Sequence, residues 1–395
     1  MNGTGMNTAA ATACGNAPLD YDIAICGAGP AGMALAALLA KRGVAPGRIA
    51  LIDARTLQQA GNDPRSLALS HGSRQILEDI GCWPVPATAI HQIHVSRRGQ
   101  FGRSVIDREE HKLEALGYVS RYGALVKELG AACERTGIAA LRPVLVTGLD
   151  EQPGHVSIQI EEEGGARRTL SAAIVVQAEG GLFGEQQAKS MQRDYGQTAI
   201  IAQVRSSAPV AHHAYERFTE QGPLALLPQD DEYSLVWCVR HDTAQTLLGL
   251  EDAAFLRQLG EAFGTRVGSF TSASRRLAFP LGLNAGAQGS ARVAAIGNAA
   301  QTLHPVAGQG LNLGLRDAAV LARLLAQGAD PAMLAQYEGL RKDDRGLTVR
   351  LTDTMARVFA NDSPAQALLG ASLAAIDLFS PARSVLAELM MYGRR

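Results

Sequence analysis

The chain has 395 residues, enough for two or three units with large cores, and its 47% hydrophobic and 19% charged content excludes a disordered polypeptide. Lysine plus arginine total 37 against 38 acidic residues, a net charge of −1, which excludes a global basic field for nucleic acid or anionic lipid. Glycine, at 42 residues without a period, points to tight turns and close backbone approaches to a ligand. The five scattered cysteines (Cys14, Cys26, Cys82, Cys133, Cys238) form no CxxC pair, which argues against a disulfide framework and for a reducing compartment.

Residues 1–18 read as a disordered leader, small and polar, with no basic n-region or apolar h-region of a signal peptide. No run reaches the ~18 apolar residues a membrane-spanning helix needs, so a soluble cytoplasmic protein with a small-molecule ligand is expected. The apolar run 21–26 ends in glycines and predicts a buried strand, 30–42 turns helical and stops at Gly43, and 49–52 forms a second buried strand ending at Asp53. Together they make a βαβ unit. A helix over 70–80 stops at Gly81, and 89–105 mixes β-branched and polar residues as strand pairs do. Residues 120–136 predict an amphipathic helix with Leu125, Leu129 and Ala132 on one side. Val156, Ile158 and Ile160 alternate as in a half-exposed antiparallel strand, and 173–178 predicts another buried strand. Strands over 199–204, 224–227 and 234–239 follow, then a buried strand over 292–296, a helix over 310–325, and a mostly helical remainder from Pro331.

Two glycine clusters carry chemistry. Gly27-Ala28-Gly29-Pro30-Ala31-Gly32 matches G-x-G-x-x-G, follows a strand, opens a helix, and precedes Asp53 by 21 positions counted from Gly32. Gly27 allows the tight turn, Gly29 lets backbone approach a pyrophosphate, and Gly32 lets helix pack on strand. The helix N-terminus faces the negative charge, and Asp53 can accept hydrogen bonds from a ribose. The second cluster runs from Gly297-Asn298 through His304-Pro305 to Gly308-Gln309-Gly310-Leu311-Asn312-Leu313-Gly314-Leu315-Arg316-Asp317. Its loop ends at a helix start whose free N–H groups would stabilise negative charge.

On these two clusters the chain resembles the single-component FAD-dependent aromatic hydroxylases with the para-hydroxybenzoate hydroxylase fold, and more narrowly the ubiquinone-biosynthesis hydroxylases of the 2-polyprenyl-6-methoxyphenol hydroxylase (UbiH) type. The narrower resemblance rests on Asp63-Pro64-Arg65-Ser66-Leu67-Ala68-Leu69-Ser70, on Glu216-Arg217-Phe218-Thr219-Glu220-Gln221-Gly222-Pro223-Leu224-Ala225-Leu226-Leu227-Pro228, on Ser234-Leu235-Val236-Trp237-Cys238 and on the tail Leu378-Phe379-Ser380-Pro381-Ala382-Arg383.

The resemblance implies an α/β fold. A Rossmann-like FAD-binding domain, discontinuous over 19–88, 115–190 and 280–350, is interleaved with a mostly antiparallel β-sheet substrate domain over 89–114 and 191–279. A C-terminal helical segment spans 351–395. Gly27, Gly29 and Gly32 would hold the FAD pyrophosphate and Asp53 the adenosine ribose. Arg65 would lie near the flavin and Arg121 would contact FAD. Pro305 would sit beside the ring, and the stretch from Gly308 through Gly310, Leu311 and Asn312 would present backbone to it. Two positions depart from the family pattern: Glu179-Gly180 stands for Asp-Gly, and Gly297-Asn298 for Gly-Asp. The implied reaction is ring hydroxylation of a polyprenylated phenol in ubiquinone biosynthesis. NAD(P)H would reduce the flavin, O2 would add at C4a, and the hydroperoxide would transfer one oxygen. The alternatives are a flavin reductase on another isoprenoid and, because of Glu179, a non-catalytic subunit of a biosynthetic assembly.

His304, beside the proposed flavin loop, would either help to deprotonate the phenol or brace the loop. His91, His94, His212 and His213 lack a second ligand cluster at zinc spacing, so no metal is expected. No nucleic-acid partner is expected. The apolar stretch 365–379 is expected to pack on the FAD domain, with peripheral contact at the inner membrane and other ubiquinone-biosynthesis proteins as further partners.

Overall fold

The computed structural model describes residues 18–99, 103–180, 190–285, 289–304 and 308–360, with side chains through residue 354. Pro305, most of the leader and the tail from residue 361 lie outside the described residues. The Ile-Ala-Ile-Cys run of the Tyr21–Cys26 strand is buried on both faces because it is central in a seven-stranded sheet. It pairs in parallel with Ile49–Ile52 (Ile23 opposite Ile49) and with Arg167–Gln177 (Ile23 opposite Ile174). The short Ala140–Leu141 strand flanks one side, and Val293–Ala295 joins Arg167–Gln177 in parallel. The strands Val144–Glu151 and Val156–Glu162 extend the sheet antiparallel, with Val156, Ile158 and Ile160 all buried, so the alternation read from the sequence marks the packed face. The helices Pro30–Lys41, Tyr122–Arg135 and Gln309–Leu325 bury their apolar sides together in the largest core.

A second sheet of eight strands runs in the order Phe270–Ala273, Met191–Ser206, Glu232–Arg240, Pro223–Gln229, His213–Phe218, Gln92–Arg97 and Arg103–Asp107, with Leu277–Ala285 also paired to Met191–Ser206. Its pairings are antiparallel except that between His213–Phe218 and Gln92–Arg97. A three-stranded antiparallel sheet, Ser66–Ser70, Gly117–Arg121 and Ala87–Ile90, lies where the two larger layers meet. From Pro331 a long helix runs to Ala360.

The structure corrects two sequence expectations. The helix expected over 120–136 begins at Tyr122. Ser120 and Arg121 stay extended because Gly117–Arg121 zips onto Ser66–Ser70 and Ala87–Ile90, and tertiary pairing overrides helical pattern. The region 191–279 also contains two helices, His241–Gly249 and Asp252–Phe263, absent from the sequence reading. Their apolar residues Leu247, Phe255, Leu259 and Phe263 cover one face of the eight-stranded sheet.

Candidate functional site

A cleft of about 760 Å³ opens at the C-terminal ends of the first two strands, within the size range of ligand sites. Gly27, at φ +109°, begins it. A Cβ there would lie 2.6 Å from the carbonyl carbon of Ala178, so the turn accepts only glycine. Gly32 is equally constrained from inside the fold, since a Cβ would stand 1.9 Å from the Gly27 oxygen. Gly29 differs. Its Cβ direction opens into the cleft, and the nearest atom is the Tyr122 hydroxyl at 3.5 Å. It caps the Pro30–Lys41 helix without a side chain and with no acidic residue in the first turn, which leaves the helix N–H groups and dipole facing the cleft.

Asp53 sits on the opposite side of the turn. Its Oδ2 accepts the Ala28 N–H at 2.7 Å and its Oδ1 the Arg55 N–H at 2.8 Å. Glu179 and Gly180 also line the cleft, and burial, followed by repulsion from Asp53, raises the Glu179 carboxyl above its ordinary value. Arg65 lines the next section. Its Nε donates to Asp63 Oδ1 at 2.9 Å and its Nη2 to Oδ2 at 2.6 Å, a two-pronged clamp that fixes the guanidinium 5.2 Å from the Tyr122 ring centre.

The far wall comes from the second glycine cluster. Gly297 takes φ +58° and donates its N–H to buried Asp317, 3.3 Å away. Asn298 faces the cleft, together with Gly310, Leu311 and Gly314 of the Gln309–Leu325 helix. Gly308 caps that helix in the left-handed region, and its first turn has no acidic residue. The Asp317 carboxylate is held in turn by Arg341 at 2.8 Å and Arg345 at 3.2 Å from the long helix.

Three further predicted residues have defined settings. Arg121 is not among the lining residues; it is exposed and its Nη2 lies 3.4 Å from Asp230, while Tyr122, next along the chain, enters the cleft. The Asn312 side chain is buried and bonded to protein on every side. His304 is buried too, with Nε2 3.1 Å from Gln197 Oε1 and its ring edge-on to Tyr195. Burial lowers its pKa to about 3, so it stays neutral, is a weak proton acceptor, and fits the bracing role. Sequence reasoning missed Arg55, Tyr122 and Phe279, which share the lining. Phe279 carried no local signal, because it comes from a strand paired across the substrate sheet.

These observations fit an FAD site. A long cleft has a glycine whose open side only a ligand would fill, two helix N-termini free of acidic residues, and a carboxylate at the end of the second strand. A flavoprotein that binds FAD is the class this fold and cleft define. A family model described as FAD binding domain matches residues 20–350. The ubiquinone hydroxylase UbiL of Rhodospirillum rubrum is 34% identical, with 88% of this chain and 84% of that protein covered. The 3-demethoxyubiquinol 3-hydroxylase of Escherichia coli is 29% identical over 87% of this chain and 91% of that one. Among solved structures, p-nitrophenol 4-monooxygenase from Pseudomonas putida superimposes with a TM-score of 0.75 at 17% identity, covering 95% of this chain and 99% of that one. The chain belongs to the FAD-binding-domain family and, within it, to the ubiquinone-biosynthesis FAD-dependent hydroxylases. It is an FAD-dependent aromatic monooxygenase, and such enzymes use NAD(P)H and O2 as cosubstrates.

Proposed function

We propose that the protein hydroxylates the aromatic ring of a polyprenylated phenol on the route to ubiquinone, with FAD seated in the cleft described above. One observation carries the reading: the two glycine clusters, Asp53, Arg65 and Asn298 converge on a single space, in a chain 34% identical to a ubiquinone hydroxylase. Bound FAD supplies the electron transfer and oxygen activation.

The chain supplies position and charge. Gly27, Gly29 and Gly32 bring the first helix against the pyrophosphate, and Asp53, oriented by two backbone N–H groups, accepts from the adenosine ribose. Arg65, aimed by Asp63, offers a fixed cation, Asn298 offers a polar group to the ribityl chain, and Glu179-Gly180 closes the pyrophosphate side. The N-terminal end of the Gln309–Leu325 helix, at Gly308, Gly310, Leu311 and Asn312, would offer backbone N–H groups and its dipole to negative charge on a bound flavin ring. The sheet covers the ring and excludes water.

We place the protein in the cytoplasm, in peripheral contact with the inner membrane and with other ubiquinone-biosynthesis proteins, because a polyprenyl substrate partitions into lipid. No helix of the described residues is long and apolar enough to cross a membrane. The test is substrate-dependent O2 consumption by the FAD-loaded protein, with a product heavier by one oxygen atom. A protein that consumes NAD(P)H but leaves the phenol unchanged overturns the reading.

A further inference from the structure

The eight-stranded sheet sends alternate side chains to two faces. Tyr215, Leu226, Leu235 and Ala202 form a row on one face and are buried beside the two helices that cover it. The other face looks toward the cofactor unit. Gln203 Nε2 donates to Ser66 Oγ at 3.1 Å, Ser66 Oγ donates to Gln229 Oε1 at 2.8 Å, and Ala214 packs with Ile90 and Val119.

Between these pins the register carries one row straight across the inner face. Val95 stands opposite Glu216, Glu216 opposite Ala225, Ala225 opposite Val236, Val236 opposite Ile201, and Ile201 opposite Leu277. Every member of this row is only half-buried, whereas the matching row on the outer face is buried. The inner row is therefore an apolar strip, roughly 24 Å long at ~4.8 Å per strand, whose members keep part of their surface accessible. Glu216 is its one ionisable member, and its carboxylate makes no hydrogen bond or ion pair with any described residue. A half-buried carboxylate that no described protein group pairs with, set in an apolar row, is placed to receive a polar group of a ligand.

We propose that Glu216 is the base of the reaction, accepting the proton of the phenol hydroxyl while the apolar row seats the ring and the first part of the prenyl chain. This rests on the hydroxylase reading above. The phenol O–H bond breaks, an O–H bond forms on the carboxylate, and the electron pair stays on the phenolate oxygen, enriching the ring carbons that receive oxygen. Burial alone raises the Glu216 carboxyl to about 7, which makes it a stronger proton acceptor than an ordinary carboxylate. The Glu232–Arg240 strand faces it with Cys238, a thiol held protonated by burial and by Glu216 itself. The Gln92–Arg97 strand brings Arg97 beside Phe218, Pro223–Gln229 brings no titratable side chain, and the facing strands of the small sheet present Ile90 and Val119.

The test uses the FAD-loaded enzyme with 2-geranylphenol as probe. Wild type is expected to lose product formation as pH falls through about 7. A rate that instead keeps climbing to the phenol's own ionisation near ~10 overturns the proposal without any variant. Glu216→Gln is expected to keep FAD and its reduction by NAD(P)H, to lose about 100-fold in product formation, and to lose the acid limb. A ring-fluorinated geranylphenol, ionised in solution at pH 8, should return the variant to within about tenfold of wild type, which a merely structural role would not allow. A Gln variant within threefold of wild type with its acid limb intact overturns Glu216 alone. Wild type that forms no oxygenated product overturns the hydroxylase reading and this assignment with it.

Discussion

The Asn312 side chain accepts the backbone N–H of Ser70 at 2.8 Å, across 242 residues of sequence. The same oxygen accepts the Ser73 hydroxyl at 2.7 Å, and its Nδ2 donates to the Ala68 and Gly308 carbonyls at 3.0 and 2.8 Å. One amide thus ties the helix of the far wall to the strand that carries the near wall. Asn312→Ala should lower stability by about 3 kcal/mol, because a buried N–H is left without a partner and several bonds are lost together. Urea unfolding checks it, and a midpoint unchanged from wild type would count against this role.

Gly29 and Gly32 should separate fold from cofactor. Gly29→Val meets no protein atom closer at Cβ than the Tyr122 hydroxyl at 3.5 Å, so the variant should fold yet emerge from purification with less than about a tenth of the flavin. Gly32→Ala drives a Cβ to within 1.9 Å of the Gly27 oxygen and should cost solubility as well. Full flavin content in a folded Gly29→Val protein would move the pyrophosphate elsewhere.

Glu179→Asp withdraws the carboxylate by one methylene while keeping its charge beside Asp53. Its effect on FAD affinity should stay within about tenfold, roughly 1.4 kcal/mol. Flavin fluorescence titration measures it, and stopped-flow reduction by NAD(P)H shows whether the cosubstrate senses the change instead.

Acid should act through His304. Its folded pKa, about 3, lies far below the ordinary ~6.5, so the unfolded chain takes up a proton that the folded one refuses. Stability from the neutral ring is complete above pH ~6.5 and is lost as pH falls, at about 1.4 kcal/mol per unit. Glu216, raised to about 7, works in the opposite sense, which makes the difference between proteins the diagnostic quantity. From pH 7 to 5, wild type should lose about 2 kcal/mol more than His304→Gln in urea unfolding. Equal losses would mean that the imidazole titrates freely.

The nucleotide fingerprint was legible because its demands are local. Three glycines and an acidic residue must fall within one βαβ unit, and the strand, turn and helix around them follow from the same short stretch. Arg121 was misplaced because adjacency in sequence says little at a strand–helix junction: one step along the backbone turns the guanidinium toward Asp230 and the tyrosine toward the cleft. Glu216 does not stand out in the sequence, since Ala-Tyr-Glu-Arg-Phe gives no hint of which face is inward. Its setting emerges from the register of strands that begin at residue 92 and end at residue 285. The helices His241–Gly249 and Asp252–Phe263 were lost for a related reason, because short amphipathic stretches between strands look like more of the same region until a core assigns their apolar side.

The Val293–Ala295 strand and the helix after it complete a wall whose opposite side begins at Gly27, some 270 residues earlier. At ~5–20 residues per second a ribosome takes roughly 15–50 s to cover that interval. Throughout it, the first helix lacks the glycine-rich helix it packs against, and for its later part, once residue 177 is made, the Arg167–Gln177 strand lacks the neighbour that pairs with Val175. The nascent chain therefore leaves the apolar side of its first helix uncovered for most of its synthesis, until the Gln309–Leu325 helix emerges. A nucleotide that touches both walls meets its complete site only then, which puts full cofactor capture late in the protein's biogenesis.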